Sequence, residues 1–121
     1  MTDASFSLTA RARSFRYAFA GVGFMLRTQH NAWLHLAATV AVGAAGVLLR
    51  VSAEDWRWLL VAVAIVWVAE AMNTAFEHLC DVVSPEFHIS VQRSKDVAAG
   101  AVLICAAGAA GLGLLTLLPY L

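Results

Sequence analysis

The chain has 121 residues, 61% of them hydrophobic and 13% charged, with a mean hydropathy of +0.75. An average soluble domain is roughly half apolar and about a quarter charged, so this composition excludes an ordinary water-soluble fold and intrinsic disorder, and points to a membrane protein. Eight Lys and Arg balance eight Asp and Glu, which removes net charge as an argument for a nucleic-acid partner.

The first predicted element is an amphipathic surface helix over about residues 6–27. Phe15, Phe19, Val22 and Leu26 recur at spacings of four, three and four, with Arg13, Arg16 and Arg27 on the other side. A helix of this kind lies in the membrane interface, either as a basic anchor or as part of a site. Ala18-Phe19-Ala20 has the small-x-small look of a cleavage site. Arg11, Arg13 and Arg16 nevertheless occupy the stretch where a signal peptide keeps its apolar core, so none is expected.

Three charge-free runs follow: Thr28 to Leu49, Trp58 to Ala69 and Val97 to Leu121. The first and third hold 22 and 25 residues, enough to cross a hydrocarbon core that needs about 20. The middle run holds 12 and spans only if its helix continues through Glu70, Asn73 and Glu77 to Asp81. The predicted spans are then about 30–49, 57–82 and 96–119, in a single all-α membrane domain 1–121. Four of the eight basic residues precede the first span, which places the N-terminus inside and the C-terminus outside. Trp33 would anchor the inner interface, and Trp56, Trp58 and Tyr120 the outer one. Ala37, Ala41 and Ala45, with the pairs Ala107/Gly111 and Ala109/Gly113, are small-residue rows that permit close helix contact, within one protomer or between copies.

The second span carries the chemistry. Glu70, Asn73, Glu77 and Asp81 are spaced three, four and four apart, which confines them to an arc of about 80° on a helix. An Asp at mid-span costs roughly 2.5 to 3.5 kcal/mol, as much as about seven good apolar residues recover, so this face is shielded from lipid. A chain with so few helices would find that shield in further copies of itself. Glu77 and Asp81 also suit a solvated helix end. Glu70 follows twelve uncharged residues, about 18 Å of helical rise, and marks a functional site: a general base or an ion-carrying group. Beyond the turn at Ser84-Pro85 come Glu86, His88, Arg93, Lys95 and Asp96. Taken singly, Asp96 reads as an N-cap and the two cations as inside anchors. Taken with the acidic face, they supply carboxylates for Mg²⁺ and cations for phosphate on one side of the bilayer.

Glu70-Ala71-Met72-Asn73-Thr74-Ala75-Phe76-Glu77, then Asp81, then Lys95-Asp96-Val97-Ala98-Ala99-Gly100-Ala101-Val102, resembles the signature of the small prokaryotic diacylglycerol kinase and undecaprenol kinase family, ExxNTAxE followed by KDxAAGAV. The resemblance runs from Phe15 through Tyr17 and Gly21 to the end of the third span, and Asn31 and His35 resemble the undecaprenol kinase branch. It implies a homotrimer of three-span protomers with a surface helix, using ATP and Mg²⁺. Glu70 would take the proton from the lipid hydroxyl, with Asn73 beside it. Glu77 would bind Mg²⁺, and Lys95 and Asp96 the nucleotide, joined by Tyr17, Glu86 and His88. Ala99, Asn31, Trp33 and His35 would face the lipid alcohol. No GxxxxGK loop and no HRD or DFG set occurs, so an ATP site must be assembled from these membrane-edge groups.

Two positions depart from the family pattern. Gln29 stands where a second metal-binding Glu is usual; its carbonyl oxygen can ligate Mg²⁺ but brings no charge. Phe87 replaces a possible hydroxyl contact with an aromatic surface. The expected activity is ATP-dependent phosphorylation of a membrane lipid alcohol, undecaprenol ahead of diacylglycerol, at the cytoplasmic face of a bacterial inner membrane. The alternative is a small ion-coupled transporter subunit with Glu70 as its ion site. Cys80 and Cys105 read as buried thiols, and His30 and His78 as interfacial side chains.

Overall fold

The computed structural model describes residues 5–121. Four helices follow in order: α1 (Leu8–Thr28), α2 (His30–Leu48), α3 (Ala53–Val83) and α4 (Ile89–Leu117), closed by a 3₁₀ turn, Leu118–Tyr120. Three of these segments, His30–Leu48, Ala53–Val83 and Ile89–Tyr120, are long and apolar enough to cross a membrane.

The helices run further than the charge-free stretches because a charged side chain ends an apolar run without ending a helix. The third predicted span begins at 96, yet α4 begins at Ile89. Asp96 is therefore interior to α4 and is not its N-cap. That role falls to His88, whose Nδ1 accepts from the Ser90 N–H at 3.1 Å. α3 opens on Ser52, whose hydroxyl accepts from the Asp55 N–H at 3.1 Å, and Glu54 and Asp55 in its first turn complement the helix dipole.

One residue separates α1 from α2. Gln29, extended at φ −108° and ψ 113°, ends the first helix and starts the second. Its N–H donates to the Met25 carbonyl at 2.9 Å, and its own carbonyl accepts from Ala32 at 3.1 Å. The Trp33 indole donates to the Leu26 carbonyl at 2.6 Å, satisfying an acceptor that the end of α1 leaves open. The joint is thus fastened from both sides while the Gln29 amide makes no cap bond.

At the opposite end, α2 stops in a Schellman motif. The Val51 N–H reaches the Gly46 carbonyl and the Arg50 N–H the Val47 carbonyl, both at 3.2 Å, with Arg50 in the left-handed region at φ 52°. Gly46 lies under the Trp56 ring so closely that a Cβ there would sit 2.5 Å from it. Tyr120 ties the C-terminus to the same turn: its hydroxyl accepts from the Ser52 N–H at 3.1 Å and donates to the Asp55 carboxylate.

α3 and α4 lie along each other, α2 leans on α3, and α1 touches α2 and α3. Large apolar side chains such as Leu60, Val68, Ile104 and Leu115 face outward, whereas the buried set includes Glu70, Asn73, Thr74 and Thr116. This inversion of a water-soluble core suits a chain whose solvent is hydrocarbon. Cys80 and Cys105 are free thiols of intermediate exposure.

Candidate functional site

The site grows along one face of α3. Glu70 is 1% exposed, and its Oε2 lies 3.2 Å from His35 Nε2 on α2. The imidazole is held in turn. Thr39 donates to the His35 carbonyl at 2.7 Å, Trp67 Nε1 donates to Thr39 Oγ1 at 2.9 Å, and the Trp67 ring meets the His35 ring edge-on with centroids 6.1 Å apart. A carboxylate removed from water needs hydrogen-bond partners or a counter-charge. Among the described residues, His35 is the group that supplies one. An acid so held is a candidate proton acceptor.

One turn on, Asn73 and Thr74 are buried. Asn73 Nδ2 approaches Glu77 Oε1 at 3.5 Å, while Asn73 Oδ1 and Thr74 Oγ1 have no hydrogen-bond partner among the described residues. Buried polar atoms are nearly always satisfied, so these two oxygens mark where another group belongs. Their chemistry suits a hard cation: the Glu77 carboxylate and neutral amide oxygens are Mg²⁺ donors. No cluster of three or more His, Cys, Asp or Glu that could hold a metal occurs among the described residues.

Beyond α3, a polar pocket of about 260 Å³ opens around the α3–α4 loop, lined among others by Asp81, Glu86, Phe87, His88 and Lys95. The loop is shaped by Ser84, whose N–H donates to the Cys80 carbonyl at 2.8 Å and whose hydroxyl donates to the Glu86 carbonyl at 3.1 Å. Lys95 Nζ is 2.6 Å from Asp81 Oδ1, closing the pocket floor between α3 and α4.

Other predicted site residues stand apart. Asp96 is turned about 100° from Lys95; it is exposed and accepts from Gln92 at 3.0 Å. Tyr17 on α1 is exposed, as are Asn31 at the start of α2 and Ala99 on α4. Trp33 is half-exposed and uses its indole N–H within the chain. Gln29 is partly buried at the α1–α2 joint. Phe24 meets His78 with ring centroids 5.1 Å apart, which sets the last turns of α1 beside the Glu77 stretch of α3. The His30 and Trp33 rings meet at a tilt with centroids 5.0 Å apart.

From Glu70 to Asp81 is eleven residues, about 16 Å along α3, with Glu77 between them. Glu70, Glu77 and the loop pocket therefore follow in that order along the helix. Three contributors escape a sequence reading. Asp81 is legible as part of the acidic face but not as the partner of Lys95, fourteen residues away. Thr74 sits inside the NTA motif, yet its unpaired hydroxyl is a fact of packing. The Trp67–Thr39 brace behind His35 has no signal in spacing at all.

Residues 16–117 match the family described as prokaryotic diacylglycerol kinase. The chain is 35% identical over 109 residues to the undecaprenol kinase of Bacillus subtilis, covering 90% of this chain and 89% of that protein. It is 40% identical over 109 residues to the diacylglycerol kinase of Synechocystis, covering 89% of this chain and 62% of that longer protein. No solved structure matches the chain at a significant level.

Proposed function

The chain belongs to the prokaryotic diacylglycerol kinase family and is a multi-pass membrane lipid kinase, and on that footing we propose that it transfers the γ-phosphoryl group of ATP to undecaprenol in preference to diacylglycerol. The observation that carries the mechanism is the buried Glu70 carboxylate held by His35, on the same helix face as Glu77 and leading to the loop pocket.

In this reading Glu70 accepts the hydroxyl proton as the lipid oxygen attacks phosphorus, and Asn73 and His35 fix the carboxylate. Glu77 and the Gln29 carbonyl hold Mg²⁺, which when bound neutralises phosphate charge during transfer. Lys95, Glu86 and His88 take the nucleotide at the loop, where Lys95 exchanges its Asp81 partner for a phosphate. Asn31, Trp33 and Ala99 border the lipid head.

The acting unit is a homotrimer in a bacterial inner membrane, with α1 as its amphipathic surface helix and the loop end of the bundle in the cytoplasm. Oligomerisation is supported by the exposed small-residue row Ala37 and Ala41 on α2. The test is a radiolabelled-ATP assay of the purified chain in lipid against a panel of lipid alcohols, beside Glu70→Gln. Wild type should label undecaprenol more strongly than diacylglycerol. The variant should keep its helical content and lose turnover; full turnover in it removes Glu70 as the base.

A further inference from the structure

A cavity of about 170 Å³ lies between α2, α3 and α4, on the membrane side of the Glu70–His35 pair. On α3 it is lined by Leu59, Ala62 and Val66, positions that continue into Glu70, Asn73 and Glu77 at spacings of three and four. The apolar wall and the acidic stripe are one helix face. On α4 it is lined by Ala106, Ala109 and Gly113, small residues whose missing volume makes the space. The same face carries Ala99 and Lys95 above them. His35 on α2 closes the end nearest Glu70, and Val42 lies two turns deeper.

On each helix the lining runs over eight residues, seven steps and about 10 Å of rise. A volume of about 170 Å³ over that length is one hydrocarbon chain wide. By comparison, an apolar cavity of about 150 Å³ stays dry and takes up a benzene, close to the carbon content of one isoprene unit. We propose that this cavity seats the hydrocarbon next to the reacting hydroxyl and admits a single-chain alcohol, a polyprenol, with its hydroxyl against the His35–Glu70 pair. A polyprenol carries its hydroxyl at the end of one chain, so it enters a narrow slot chain first. A diacylglycerol carries two ester-linked chains beside its hydroxyl and is too wide. The inference rests on the lipid kinase reading and adds to it where the chain goes and why the acceptor is selected.

The test uses the full-length protein in phosphatidylcholine vesicles and a farnesol analogue with a diazirine in the isoprene unit bearing the hydroxyl. After irradiation, adducts are mapped by mass spectrometry. They should fall within residues 35–42, 59–66 and 106–113, and Ala109→Leu, which fills the slot, should reduce them at least fivefold. Val66→Ala, which widens it, should retain them and lower the KM for farnesol relative to Ala109→Leu by about an order of magnitude. Adducts concentrated in the second apolar groove, between α1 and α3 at Met25, Ala71 and Ala75, overturn the proposal, as does labelling unchanged by Ala109→Leu. Labelling needs no ATP. Slot labelling without any phosphorylation overturns the kinase reading alone, and phosphorylation with adducts elsewhere overturns the slot alone.

Discussion

Charge buried away from water needs compensation, and at the scale of single residues this sets the weight of Glu70 and Gln29. His35→Ala leaves the Glu70 carboxylate without the partner it has at 3.2 Å, at a cost of about 1–3 kcal/mol. The variant is expected to melt at a lower temperature in circular dichroism. His35→Gln, which still offers a donor, should recover most of that stability. On the proposed metal role of Gln29, Gln29→Glu adds a charge to the site, so the Mg²⁺ concentration for half-maximal turnover should fall several-fold in a metal titration. An unchanged titration would remove Gln29 from the metal site. The acidity of the α3 face was legible because three carboxylates and an amide recur at helical spacing. Its satisfaction was not, since His35 lies 35 positions from Glu70 along the chain.

Helix ends decide how the spans are held. Arg50 occupies a left-handed position that costs a side-chain-bearing residue roughly 1–2 kcal/mol and glycine little. Arg50→Gly should therefore stabilise the α2–α3 turn by about 1 kcal/mol, seen as a higher melting temperature in detergent. Gly46→Ala places a methyl 2.5 Å from the Trp56 ring and should destabilise by about 1–3 kcal/mol through overpacking. Adding Trp56→Ala should return part of that loss, and a purely additive double mutant would mean that the contact is not the cause. The helices themselves could be read from apolar runs. The start of α4 could not, because His88, not the more conventional Asp96, caps it. The Ser84 turn had already bent the chain back by then, so Arg93 to Asp96 entered as helix.

For the whole molecule, few helices must cover a polar face. In lipid no hydrophobic force drives spans together, so association rests on close packing of small residues and on polar groups that need partners. Within one chain α3 and α4 use much of that capacity on each other, while Ala37 and Ala41 remain exposed on α2. Native mass spectrometry of the purified protein should give three times the 12.9 kDa chain. Ala41→Leu should shift that distribution toward monomer and reduce turnover together; a monomer with full turnover would dismiss the shared assembly.

Composition and periodicity were enough, without coordinates, to establish a three-span helical membrane protein with an acidic face on its second span, because both depend on residues close in sequence. The ExxNTAxE and KDxAAGAV signatures likewise carried the family. Only the tertiary structure decided that Glu70 faces His35, that Lys95 turns to Asp81 while Asp96 turns away, and that small residues on α4 border a cavity of about 170 Å³ beneath the acid. Those outcomes depend on how three helices are rotated about their axes relative to one another. That rotation is fixed by the sum of many weak contacts between distant segments, which no local spacing encodes.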